Sequence, residues 1–285
     1  VSALGADPYI QFNTVHKDPW KRELYRTPAF RHAISLTIDR EELNELIFKG
    51  QGEPRQASII SGAPYFSEEW EEAWSDFDPE RASEMLDEVG LDARDSDGFR
   101  LRPDGEPFVI TIDLTPSQAY WTDVFELIKQ YWANVGVRSN INVMERSLRG
   151  QREEANEHDT HIWAMGALIN ILAQPATILF QGSHEYDWWE SGGDQGIEPS
   201  AAKKELYEIW EEIKVTTDED ARDALARRMV EIHRENIWDI GTVGERPALL
   251  IASNRVGNVA LDIISDDTVR TPGNAELSQL FIRQE

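Results

Sequence analysis

Phe30-Arg-His-Ala-Ile-Ser-Leu-Thr-Ile-Asp39-Arg-Glu-Glu-Leu-Asn-Glu-Leu-Ile-Phe-Lys-Gly50 is the stretch on which the reading of this chain turns. It is two short helices that meet at one aspartate. Ala33, Ile34 and Ile38 give the first an apolar stripe at helical spacing. Asp39 stands where an N-cap belongs, since its carboxylate can accept from the free N–H groups of a first turn. Glu42, three residues on, completes a capping box, and Gly50 closes the second helix. A turn follows, Gly50-Gln-Gly52-Glu-Pro54.

Outward from this junction the chain alternates between strand and helix patterns. Tyr9-Ile-Gln-Phe-Asn13-Thr precedes it and reads as a strand. Asp78 caps a helix that has Pro79 at its first position, buries Ala82, Met85, Leu86 and Val89, and stops at Gly90. Phe99-Arg-Leu and the run Phe108 to Leu114 flank Pro103-Asp-Gly-Glu, which predicts a hairpin. Ser117 to Val135 is amphipathic, with Gly136 as its stop, and Asn140 to Met144 is the next strand. Strand, helix, strand in this order implies a crossover unit and an α/β layer architecture. His161 to Gly166 is an apolar strand that opens into a loop around Pro175. Tyr186 to Gly196, rich in aromatics and glycine, reads as a loop. Two long helices follow, Ser200 to about Val215 and Asp218 to about Asn236, then strands at Ile237 to Val243 and Ala248 to Ala252.

With 285 residues the chain can bury a sizeable core. It carries 53 acidic and 28 basic residues, a net charge of −25, which disfavours nucleic acid and anionic membranes as partners because both repel such a field. The acids are spread along the sequence and read as a solvated surface. The absence of cysteine excludes disulfides, thiolate metal sites and cysteine nucleophiles. No apolar run approaches the roughly 18 to 20 residues of a membrane span. Val1-Ser-Ala-Leu-Gly-Ala is too short and uncharged for a signal peptide.

Enzymatic signatures are missing: no Gly-x-Ser-x-Gly elbow, no phosphate loop and no dinucleotide fingerprint. Gly192-Gly193-Asp194 is read as a turn. Asp95-Ser-Asp97-Gly98 resembles the middle of a calcium loop, but the first ligand position would be Ala93 and the twelfth Asp104, and it is read as a solvated turn. His158 and His161 are three apart, which on a strand points them to opposite faces. No catalytic residue, metal or cofactor is therefore expected. Trp121, Trp132, Trp210 and Trp238 lie in strong helix or strand patterns and belong to the core. Trp163, at a strand end, and Trp188 and Trp189 either pack inward or offer flat rings to a solute.

The order of these pieces closely resembles the family 5 extracellular solute-binding proteins, which feed peptides and other small solutes to ABC importers. The carrying motifs are Phe12-Asn13-Thr14, the Ile38-Asp39-Arg40-Glu41 junction, the Asp78-Pro79-Glu80 helix, Trp132-x-x-Val-Gly136-Val and the Glu205 to Val243 helices and strand. The resemblance implies an α/β fold of periplasmic-binding-protein type, a mixed β-sheet flanked by helices. It also implies two lobes in a chain about twice this long, of which this is the C-terminal one. Residues 1–12 would then lie near the hinge, 13–260 form lobe two, and 261–285 return toward the missing N-terminal lobe. Export is implied too, with any signal segment upstream and the receptor periplasmic or anchored at the cell surface.

The same resemblance implies that the strand and loop from Trp163 to Pro175 line the solute. The expected ligand-binding residues are Asn13, Trp163, Met165, Gly166, Asn170, Trp188 and Trp189, and the expected partners are a solute and the ABC permease subunits. Peptide-binding members place an aspartate in that loop, against the peptide's amino terminus. Leu168-Ile-Asn170-Ile holds no acid, and Asn170 offers only neutral hydrogen bonds. A small oligopeptide leads as the solute, with an oligosaccharide as the alternative. A secreted acidic hydrolase and a plain interaction domain are the rival classes.

Overall fold

Alternation along β1 (Ala6–Phe12) sets the architecture. Ile10 and Phe12 point to one side of the strand, Tyr9 and Gln11 to the other. The computed structural model describes residues 4–116, 118–247, 251–260, 263 and 276–283. After β1 come α1 (Pro19–Arg26), α2 (Pro28–Leu36), α3 (Arg40–Phe48) and the short strand β2 (Glu53–Pro54). Short α4 (Glu68–Glu71) and α5 (Pro79–Leu86) lead into β3 (Val109–Leu114), α6 (Tyr120–Asn134) and β4 (Arg138–Val143). Then follow α7 (Arg146–Glu154), β5 (Thr160–Met165), α8 (Pro175–Ile178) and α9 (His184–Glu190). Helices α10 (Ala201–Val215) and α11 (Glu219–Asn236) precede β6 (Asp239–Gly241) and β7 (Val243–Gly244). Strands β8 (Val256–Gly257) and β9 (Phe281–Ile282) pair with each other.

Five strands form one mixed sheet in the order β4-β3-β5-β1-β6. β3 runs parallel to β4 and to β5, joined by the α6 and α7 crossovers, whereas β1 is antiparallel to both β5 and β6. The predicted α/β crossover is thus present. Register aligns Ile110, Ile112, Ile162, Ile10, Phe12 and Ile240 on one face, all of them buried. That face meets the helices: Phe12 lies 5.0 Å from Tyr25, 5.1 Å from Phe30 and 6.5 Å from Trp132, ring centre to ring centre. The opposite face reads Thr111, Asp113, Gln11, His161 and Asp239.

Helix ends follow their capping residues. Asp39 accepts from the Glu42 N–H at 2.8 Å, Asp78 from Arg81 N–H, Ser200 from Lys203 N–H and Asp218 from Ala221 N–H. Two details differ from expectation. The Glu42 carboxylate does not reach back to Asp39 but accepts the Tyr131 hydroxyl of α6, so a tertiary contact replaces half of the capping box. Helix α3 ends at Phe48, with Lys49 and Gly50 both at positive φ. The expected hairpin around Pro103 is reduced to single bridges, Arg94 with Arg100 and Leu101 with Pro107, because β3 spends its hydrogen bonds on two parallel neighbours. Ala82 and Leu86 are buried as predicted while Met85 and Val89 are only partly so, and Gly90 takes φ +89° where the helix stops. Trp121, Trp132 and Trp238 are in the core, and Trp210 is half-buried against it. Ser117, residues 248–250 and most of 261–285 fall outside the described residues; Ile251 and Ala252, the end of the expected Ala248 strand, are not in a strand.

Burial pushes the imidazoles of His32, His158 and His233 down to about 4. His32 stacks on Trp74 at 4.2 Å, and the His233 Nε2 meets the Ile178 carbonyl at 2.9 Å. Between that value and the ordinary 6.5 the unfolded chain binds these protons and the folded chain does not. Stability is therefore fully present above 6.5 and is lost as pH falls toward 4, by about 1.4 kcal/mol per pH unit for each histidine. Asp239, lifted by burial to about 6, acts in the opposite sense below that pH and offsets one of the three. Thermal melts at about 1 M salt, where surface charge is screened within roughly 3 Å, should show a midpoint that drops between pH 7 and pH 5. A flat or rising midpoint would contradict this account.

Candidate functional site

Three parallel strands, β3, β4 and β5, end on one edge of the sheet, and α6 and α7 start there. The carboxyl edge of such strands is where α/β layers leave room for a ligand, because the backbone of the loops and the first turns of helices point outward. Trp163 on β5 is half-buried at this edge. Its ring meets Trp121 edge-on at 5.8 Å, and the guanidinium groups of Arg146 and Arg149 lie over it at 4.9 and 5.3 Å. Arg149 is held by the Ile162 carbonyl at 3.0 Å and by Glu153. Val143, at the end of β4, and Leu148, on α7, are exposed.

The chain enters and leaves the sheet side by side at this same edge. Gly5 donates to the carbonyls of Met165 and Gly166 at 3.0 and 3.2 Å, and the Glu245 N–H donates to Leu4 at 2.8 Å. Gly241 lies so close to the loop before α4 that a Cβ there would come within 2.3 Å of the Ala57 nitrogen. Side chains lock the two passages together. The buried Asp7 carboxylate accepts from Trp121 Nε1 at 2.9 Å, from Arg246 at 2.6 Å and from the Tyr120 hydroxyl. Burial first, then the Asp7 charge, pushes the Tyr120 phenol up to about 12. Arg246 also lies 4.3 Å over the Phe48 ring. Beside it the fully buried Arg55 pairs with Glu71 at 2.9 Å and with Glu245, which in turn accepts from Ser61. Burial raises the Glu245 carboxyl, but Ser61 and Arg55 outweigh it and hold the group below its ordinary value.

The expected site residues are distributed over four places. Trp163, Met165 and Gly166 lie at the edge, with Met165 buried in the core and Gly166 bound through its carbonyl to Gly5. Asn170 is exposed one short loop further, where its side chain accepts from Leu172 N–H at 3.2 Å, and it lines a shallow hollow of about 460 Å³ with Tyr65 and Arg222. Trp188 and Trp189 are not in a loop: Ser183 caps α9 by accepting from Tyr186 N–H at 3.2 Å, and both indoles ride on that helix. Both are half-buried, Trp188 beneath the Lys204 ammonium at 4.9 Å and Trp189 at 5.5 Å from Tyr207. Asn13 lies at the far end of β1. Its amide donates to the His158 carbonyl at 3.0 Å and accepts from Val15 N–H at 3.0 Å, which holds a turn together. Sequence reasoning missed Asp7, Tyr120, Arg146 and Arg246. Among the described residues no group of three or more His, Asp or Glu side chains is placed to hold a metal ion, and His161 is turned to Glu153 at 2.8 Å.

Residues 5–188 match the family model for bacterial extracellular solute-binding proteins, family 5, middle region, and the chain belongs to that family. The fold superposes on an oligopeptide-binding protein OppA with a TM-score of 0.84 at 38% identity, covering 99% of this chain and 48% of that one. A periplasmic alpha-galactoside-binding protein of Rhizobium meliloti (strain 1021) is 25% identical over 84% of this chain and 35% of its own length. A dipeptide-binding protein of Pseudomonas aeruginosa is 22% identical over 80% of this chain and 38% of its own. The chain thus spans about a third to a half of the relatives it matches, and these relatives are binding proteins.

The pair between the buried Asp7 and the half-buried Arg246 ties the two passages, and removing the arginine strands the buried carboxylate. Arg246→Met should lower unfolding stability in urea by roughly 3 kcal/mol. Adding Asp7→Asn should recover part of that loss, a coupling that a double-mutant cycle reads directly. Additive losses would mean that the pair does not act as a unit.

Proposed function

We propose that this chain is the second lobe of an extracytoplasmic solute receptor that delivers its cargo to an ABC importer. The carrying observation is the shared edge: the strand that enters the sheet and the one that leaves it lie side by side exactly where the parallel strands end. A chain that crosses between two lobes needs such adjacent passages, and a cleft at that edge closes by hinge rotation about them. In this reading residues 1–12 adjoin the hinge, 13–260 form the lobe and 261–285 return toward the N-terminal lobe. The receptor binds and releases its solute without chemistry, acts outside the cytoplasm and docks on permease subunits when closed.

An oligopeptide is the favoured solute. Arg146 stands at the edge over Trp163 and makes no ion pair among the described residues, so its guanidinium is available to a peptide carboxylate. A second reading, an oligosaccharide, is favoured by the neutral Asn170 in the following loop and by the flat Trp163 ring. The residues proposed to touch solute are Trp163, Gly166 and Asn170, with Met165 shaping the strand beneath them. Asn13, Trp188 and Trp189 remain proposed contacts only for a long solute that extends beyond the edge.

A single lobe supplies one wall of the cleft. Loss of even about 4 kcal/mol of contacts weakens binding roughly a thousandfold. Calorimetry should find no tight solute for the 285-residue chain and clear binding for the complete two-lobed protein. In the complete protein, Trp163→Ala should weaken binding of either solute class, whereas Arg146→Ala should weaken peptides alone. Micromolar or tighter binding of peptide or oligosaccharide at the edge of the isolated chain would refute the half-cleft reading.

A further inference from the structure

The polar face of the sheet carries a cavity of about 680 Å³, away from the carboxyl edge. Gln11 of β1, His161 of β5 and Asp239 of β6 lie on its floor, Phe180 and Asp187 on the opposite wall, and Lys203 at its inner end. Its volume lies in the range of small-molecule pockets. The charges facing it are mostly already committed. Lys203 is bonded to the buried Glu185 and to Thr14. His161 is paired with Glu153, which Arg149 also contacts. His158, also on the wall, is neutral at pH 7 because burial pushes it down to about 4.

Asp239 is different. It is buried, 5% exposed, and its Oδ1 accepts one neutral hydrogen bond, from the Gln11 amide at 2.7 Å. Among the described residues it has no ion pair, and Oδ2 has no hydrogen bond. Asp187, on the wall, has no ion pair among the described residues either. A buried carboxylate without a counter-ion is costly, and an incoming cation would relieve that cost. The Phe180 ring offers a face on which an organic cation can also rest, as it does to Lys203 at 4.5 Å. A metal ion would need several oxygen or nitrogen ligands together, which the described residues do not assemble here.

We propose that this cavity is a second binding site within the lobe, distinct from the interlobe edge, that takes a small organic cation bearing a primary ammonium, with Asp239 as its counter-ion. The ammonium donates to Asp239 Oδ2, and its carbon chain lies along Phe180. Occupancy depends on the ionised carboxylate. The groups that face Asp239 are Tyr9 and Gln11 from β1, His161 from β5, Lys203 from α10 and Arg31 from α2. None of these five groups is a free counter-ion: Tyr9 and Gln11 are neutral, Lys203 and His161 are bound as described, and Arg31 is bound to the Tyr25 and Asn236 carbonyls.

The test uses 1,4-diaminobutane, with 1,4-butanediol as its neutral counterpart, in calorimetric titrations of the whole chain at about 0.3 M salt. The diamine should bind saturably at one site and the diol should not. Asp239→Asn should weaken the diamine at least about tenfold. Thr177→Trp, on the exposed rim of the cavity, should abolish binding while far-UV circular dichroism and the thermal midpoint stay unchanged. Wild-type binding should weaken as pH falls through about 6, where Asp239 takes up its proton. Absence of saturable binding overturns the proposal. So does binding that both variants retain, which would be surface attraction to a chain of net charge −25.

Discussion

The sheet has one apolar face and one polar face, and most of the structure follows from that division. On the apolar side, isoleucines and Phe12 meet α1, α2 and α6 in a close-packed core. On the polar side each group needs a partner, because an unpaired buried polar atom costs more than a hydrogen bond returns. Helix α7 supplies several of them: Arg152 reaches Asp113 at 2.9 Å and Arg149 reaches the Ile162 carbonyl. Where α7 ends, the polar face is left to the segment from α8 to α10, and there the layer stays open.

Much of the fold could be read from the sequence because its signals are local. Asp39, Asp78, Ser200 and Asp218 each satisfy an N–H within three residues, so four helix starts are legible without knowing the tertiary structure. The strand–helix–strand crossover is legible from its change of period. Helix α9 was hidden because Gly192 and Gly193 just beyond it, together with two adjacent tryptophans, mimic a loop, and Ser183 is an inconspicuous cap. The Glu42 side chain went to Tyr131 across 89 residues, a contact that no local pattern announces. At the candidate site, Trp163 and its loop stand out as an aromatic strand end. Asp7 and Arg246 do not, since 239 residues separate them and only the pairing of distant strands brings them together.

Burial takes cations and acids out of the solvent-facing layer in nearly equal number. Arg31, Arg40, Arg55, Arg100, Arg149 and Lys203 are all buried. Several of them act on backbone carbonyls: Arg40 binds those of Ser35, Ser75 and Gly241, and Arg31 those of Tyr25 and Asn236. The flat guanidinium fork suits this role, since one side chain can satisfy several carbonyls from different segments at once. Asp7, Asp113, Asp159, Glu185 and Asp239 are buried as well, so the solvent-facing layer keeps the acidic excess that the composition gives it.

The position of β1 also carries a consequence for the way the chain is made. It lies between β5 and β6, and its Gln11 pairs with Asp239 across 228 residues. Among the strands of this sheet synthesis delivers β1 first and β6 last. Until β5 emerges both hydrogen-bonding edges of β1 stand open, and until β6 emerges one still does, a state that invites pairing with other chains. An interior strand of the finished sheet is thus the longest-waiting segment of the nascent one.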